Sequence, residues 1–160
     1  MEEGQHKMAR SALVALGFLL STCLSAAEAL EPAKASELVT ATASGSTTCP
    51  IFDRRVLSTG VTQNNFSIPS GFVLVITAFE WQVSGAAAGE GTVALKVETT
   101  STSATVATST ARIDAAGNGG ANVQFPNGIA VKRGRMICLD PAFTFTSLVG
   151  TVHGFFAVDQ

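Results

Sequence analysis

Two cysteines, Cys49 and Cys138, and one histidine outside the N-terminal region, His153, hold most of the chemistry open to this chain. An even pair of cysteines in an oxidising compartment joins as a disulfide. The bridge would close a loop of roughly 90 residues, worth somewhat over ~4 kcal/mol in the chain-entropy picture. The same set is a poor metal site, because structural zinc needs four Cys or His ligands at short spacings. Asp114 and Asn118 offer oxygens in a glycine-rich loop, but a calcium loop needs more carboxylates at alternate positions. No metal site is expected.

Catalytic constellations are equally sparse. The chain has no Gly-x-Ser-x-Gly elbow, so a hydrolase triad would have only His153 as its base, with Asp53 or Asp140 as the carboxylate that would have to reach it. Between Val152 and Gly154 in the last strand, His153 reads as a partly exposed sheet residue or one satisfied by a backbone carbonyl. Glu80, Glu90 and Glu98 are the carboxylates available for glycoside hydrolysis, which needs two of them about 5 Å or about 6.5–9.5 Å apart. Glu80 and Glu98 fall at outward positions of alternating strands, where solvation accounts for them. With no Tyr and one Trp, sugar-stacking platforms are scarce, and Trp81 shares its parity with Phe79 and Val83, which assigns it to the core. Gly85–Gly91 lacks the Lys-Ser/Thr ending of a phosphate loop, and no helix follows it. No catalytic residue and no cofactor site is assigned, and the chain reads as a non-enzyme.

Two surface motifs remain. Lys132-Arg133-Gly134-Arg135 reads as a basic hairpin tip, solvated or in contact with an anionic glycan or a partner. Asn65-Phe66-Ser67 matches a glycosylation sequon, which matters only in a host that modifies it.

The N-terminus explains why the compartment is oxidising. His6, Lys7 and Arg10 precede an apolar run from Ala12 to Leu24, followed by the small residues Ser25-Ala26-Ala27-Glu28-Ala29. That order is a signal peptide, and the run is too short for the roughly 20 residues of a spanning helix. Cleavage is expected between Ala29 and Leu30, with Ala27/Glu28 as the second site and Met8 as an alternative start to Met1. A competing reading takes Leu20-Ser21-Thr22-Cys23 as a lipoprotein box that anchors the chain at Cys23. Thr22 argues against it, as does the apolar stretch continuing past Cys23. Beyond residue 29, eight Lys and Arg oppose nine Asp and Glu, a balance that steers the domain to neither nucleic acid nor anionic lipid.

The mature chain then divides into a flexible Ala/Ser/Thr-rich leader, 30–48, and one folded domain, 49–160. Past Cys49, short apolar runs alternate with Gly, Pro, Asn and Asp, which is strand punctuation. Phe72–Val83, opened by Pro69-Ser70-Gly71, is apolar on both parities in its first half and alternates in its second. Thr92–Glu98 alternates throughout, and Thr105–Ile113 is its expected partner. Ile51–Leu57, Asn65–Ile68, Ala121–Phe125, Gly128–Val131, Met136–Leu139, Phe143–Thr146 and Thr151–Val158 complete the set. About nine strands at this spacing specify an all-β antiparallel sandwich, jelly-roll-like in preference to immunoglobulin-like. The loops Gly85–Gly91 and Asp114–Gly120 are the expected binding positions.

The functional expectation is an exported, secreted or periplasmic binding module, meeting a glycan or protein through loops or a sheet face. A structural or self-assembling role is the alternative, with the apolar residues of Phe72–Ile76 and Phe155-Phe156 packing between subunits. A glycan hydrolase ranks third.

Overall fold

The computed structural model describes residues 37–99 and 101–159. The expected signal peptide, its Ala29–Leu30 cleavage point, Cys23 and the first part of the leader lie outside the described residues. Nine antiparallel strands form two sheets: β1 (Leu38–Gly45), β2 (Arg54–Val56), β3 (Thr62–Asn64), β4 (Phe72–Ser84), β5 (Gly89–Glu98), β6 (Ser103–Ile113), β7 (Gly119–Lys132), β8 (Met136–Pro141) and β9 (Ser147–Val158). The larger sheet runs β3-β2-β1-β9-β4-β7 and the smaller β6-β5-β8. No described helix is long and apolar enough to cross a membrane.

The pairings nest. β5 pairs with β6, β4 with β7, Ile51 bridges to Cys138 of β8, and β1 pairs with β9. A single long antiparallel ribbon rolled on itself produces this order, with β9·β4 and β5·β8 closing the two sheets. Such a roll is the jelly-roll arrangement.

Alternation supplies the core. Phe79, Trp81 and Val83 of β4, Val93 and Leu95 of β5, Leu139 of β8, and Leu148 and Val152 of β9 point between the sheets and are buried. Trp81 occupies the assigned core position, and its Nε1–H donates to Ser109 Oγ of β6 at 3.0 Å. Ser109 is the one polar side chain buried among the described residues, so this bond joins the two sheets through an otherwise apolar interior.

Several boundaries depart from expectation. The leader does not extend to Cys49: Leu38–Gly45 is strand β1, paired with β9 along its whole length and with β2. Its inward residues, Val39, Ala41 and Ala43, are buried while Thr40 and Thr42 face outward. The alternation is present but written in small residues, because the facing positions Gly150 and Gly154 leave the filling of the core to larger neighbours such as Phe52 and Leu139. Ile51–Leu57 contracts to Arg54–Val56, and the strand expected at Asn65–Ile68 lies earlier, at Thr62–Asn64; Asn65 turns the chain in the left-handed region (φ 59°). Pro126-Asn127-Gly128 does not end a strand. Ala121–Phe125 and Gly128–Val131 belong to one β7, which bulges there against β4 between Ile76 and Ala78. Phe143–Thr146 is not a strand; Phe143 and Phe145 pack on the core, with the Phe143 ring 6.2 Å from Trp81. The basic tip joins β7 to β8 across two sheets and is therefore a crossover turn, not a hairpin.

The bulge in β4 divides the outward face of the larger sheet. Before it, Val73 and Val75 face outward with Phe155 and Ala157 of β9, forming a small apolar cluster separate from the main core. After it, β4 presents Glu80, Gln82 and Ser84. The two-sided apolar pattern of Phe72–Ile76 reflects this split: Leu74 and Ile76 enter the main core, Val73 and Val75 the outer cluster.

Candidate binding face

The polar half of that outward face is built by register. Glu80 lies between Asn122 of β7 and Thr151 of β9, Gln82 between Gly120 and Val149, and Ser84 beside Ser147. Thr151 and His153 continue it to Thr42 and Thr40 of β1. Where β7 begins, Asn118, Gly119 and Gly120 join Glu80, Gln82, Ser84, Asn122, Ser147 and Val149 around an open depression of about 610 Å³. The glycines cause the hollow. A Cβ on Gly120 would stand 2.5 Å from Trp81 O, so only glycine lets β7 lie this close to β4.

Both glycine-rich loops close the adjoining end of the sandwich, and hydrogen bonds fasten them. Ala86 N–H donates to Gly117 O at 3.2 Å, and Thr146 N–H to Ser84 O at 3.1 Å. Asp114 Oδ1 accepts from Ala116 N–H at 2.9 Å and Asn118 N–H at 2.8 Å. Its carboxylate therefore fixes the loop that carries Asn118 to the depression. Of the two loops only the second, through Asn118, Gly119 and Gly120, lines the depression; Gly85–Gly91 contributes no lining residue.

His153 lies half-exposed on the same face. Its Nδ1 is 3.4 Å from Thr40 Oγ1 and its Nε2 3.9 Å from Glu80 Oε1. The two carboxylates that a triad on His153 would have had to use are paired elsewhere: Asp53 with Arg54 at 3.6 Å and Asp140 with Lys96 at 2.5 Å. Thr40, His153 and Glu80 follow the order of a hydroxyl, a base and an acid. Around them the backbone runs in strand register between β1, β9 and β4, interrupted at Thr77 by the bulge between Ile76 and Ala78. The carboxylates weighed for glycoside hydrolysis are dispersed. Glu80 is on the larger sheet, while Glu90 and Glu98 sit at opposite ends of β5, roughly 27 Å apart at strand rise. Glu90 faces Arg112 across the β5·β6 pair.

Cys49 and Cys138 are joined, with Cα atoms 5.0 Å apart and a sequence separation of 89. Glu98 Oε1 lies 3.7 Å from Cys49 Sγ, and the two sulfurs and this carboxylate lie within 4.8 Å of one another. A bridged sulfur has neither proton nor thiolate charge, so this cluster is no metal site while the bridge is closed. Lys132 pairs with Asp159 at 3.3 Å, and Arg133 and Arg135 are exposed in the crossover turn. Asn65 of the sequon is exposed as well.

No known protein family matches the sequence, and no curated protein does. Among solved structures, murine APRIL superposes with a TM-score of 0.41 at 9% identity, covering 72% of this chain and 98% of its own. The globular domain of zebrafish complement 1qA gives 0.36 at 10% identity, covering 74% and 95%. The extra small virus of the giant freshwater prawn Macrobrachium rosenbergii, as a virus-like particle, gives 0.37 at 13% identity, covering 77% and 80%. Scores this low leave the fold assignment to rest on the strand pairing of the chain itself.

Proposed function

We propose that this chain is an exported, non-enzymatic β-sandwich that binds an extracytoplasmic glycan or protein through the polar half of its larger sheet. One observation carries the reading: Gln82, Ser84, Asn118, Asn122 and Ser147 converge on one open depression with a single carboxylate, Glu80, at its edge. Carboxamides and hydroxyls offer donors and acceptors together, which suits a neutral, hydroxyl-rich ligand, and half-exposed Val149 supplies an apolar contact within the same hollow. The signal-like N-terminus and the Cys49–Cys138 bridge support export.

Self-assembly is the second reading, favoured by two apolar side chains left exposed on the larger sheet, Leu38 at 52%, in register with Phe155, and Val158 at 63%, in register with Phe72. The test applies the full chain to an array of neutral and anionic glycans and follows hits by calorimetry. Replacing Gln82 and Asn122 together by Ala should weaken a specific hit about tenfold or more, by removing two hydrogen-bonding groups. Thr108→Ala, on the outward face of the other sheet, should leave it unchanged. Silence on the array combined with concentration-dependent oligomers in light scattering would transfer the assignment to assembly.

A further inference from the structure

The disulfide lies apart from the binding face, and its surroundings are asymmetric. Backbone pairing brings the two cysteines together: Ile51 bridges to Cys138, Phe52 N–H donates to Ile137 O at 2.9 Å, and Leu139 N–H donates to Pro50 O at 3.2 Å. Cys138 is fully buried, whereas Cys49 is partly exposed. A thiol arriving from solvent therefore meets Cys49 Sγ. The charged group standing there is the Glu98 carboxylate, 3.7 Å away. The nearest cation along the strand, Lys96, is held by Asp140, and no ion pair among the described residues neutralises Glu98.

We propose that Glu98 is a kinetic guard of the Cys49–Cys138 bridge, repelling anionic thiolates and slowing thiol–disulfide exchange without changing its equilibrium. In the first step a small-molecule thiolate attacks Cys49 Sγ. The S–S electron pair departs on Cys138, leaving a mixed disulfide at Cys49. A second thiolate then attacks that mixed disulfide and releases Cys49. Two thiols are oxidised to one disulfide, the protein bridge gains two electrons, and two protons end on the cysteines. In both steps negative charge is spread over sulfur atoms a few ångströms from the carboxylate. A like charge at about 5 Å, screened almost as in bulk water because the attack comes from the solvent side, slows such a step by a factor of about 3–10. The closed bridge and the fully protonated dithiol have no charge on sulfur, so Glu98 acts on the barrier and leaves the end states alone. Sequence alternation placed Glu98 as a solvated strand residue, and only the fold brings it to the bridge.

The test uses the full chain with Cys23→Ala, so that only the bridging sulfurs react. Reduction is followed by mass spectrometry after alkylation, with anionic 2-mercaptoethanesulfonate and with cationic cysteamine, each at equal thiolate concentration. The proposal expects the anionic thiol to react at least 3-fold more slowly than the cationic one. Glu98→Gln should accelerate the anionic thiol about 3–10-fold, shrink the difference between reagents, and move the exchange equilibrium by less than 2-fold. Should Glu98→Gln not fold, the two-reagent comparison on the parent chain still decides, because equal rates there overturn the proposal. Unchanged rates in Glu98→Gln, or a shifted equilibrium with an unchanged rate ratio, overturn it too.

Discussion

Replacing Ser109 by Ala should destabilise the domain by about 2 kcal/mol, through a group that remains in place. Trp81 is 1% exposed and Ser109 6%, and the bond between them is 3.0 Å long. Removing the hydroxyl strands a buried indole N–H that no water can reach, and an unsatisfied buried donor costs about 1–3 kcal/mol. Trp81→Phe removes the donor together with part of the ring, and its cost of about 2–3 kcal/mol is mostly packing. In the double variant no donor is left stranded, so the two costs should fall short of additivity by about 1–2 kcal/mol. Urea unfolding measures the first variant directly, because Trp81 is the only tryptophan and there is no tyrosine; circular dichroism serves the other two. A Ser109→Ala cost below about 0.5 kcal/mol, or strict additivity in the cycle, would falsify the claim that this bond ties the sheets.

Two further outcomes follow from the backbone. A Cβ on Gly154 would sit 2.0 Å from Val75 O, inside the β4·β9 pair, so Gly154→Ala should cost about 3 kcal/mol or more, against about 1 kcal/mol for Gly134→Ala, which has φ +78° and open space around it; comparable melting temperatures for the two would contradict this. Deleting residues 1–36 should leave a cooperative thermal transition and deleting 1–48 should abolish it, because β1 supplies Val39, Ala41 and Ala43 to the core; a folded 49–160 fragment would restore the leader reading.

The alternation of Phe79, Trp81 and Val83, and of Val93, Leu95 and Val97, was legible because large side chains on one parity leave no second interpretation. β1 was illegible for the opposite reason: Val39, Ala41 and Ala43 contribute little hydrophobic contrast, and the room for them is created by Gly150 and Gly154 more than 100 residues away. Pro126-Asn127-Gly128 misled because turn residues also build bulges, and only the partner strand decides which. Glu80 and Asn122 were each readable as outward residues. Their adjacency, and the hollow beside Gly120, depend on a register that no local pattern encodes. The proximity of His153 Nε2 to Glu80 Oε1, 3.9 Å, has the same origin.

β9 has a role beyond its contribution to the core. It stands inside the larger sheet, between β1 and β4, yet it comes last in chain order among the described strands. Until Ser147–Val158 is available, the β1–β3 meander and the β4·β7 pair have no strand to join them, and the sheet exists only as two halves. β9 is thus the keystone: a chain without Ser147–Val158 cannot close the roll, however long it waits.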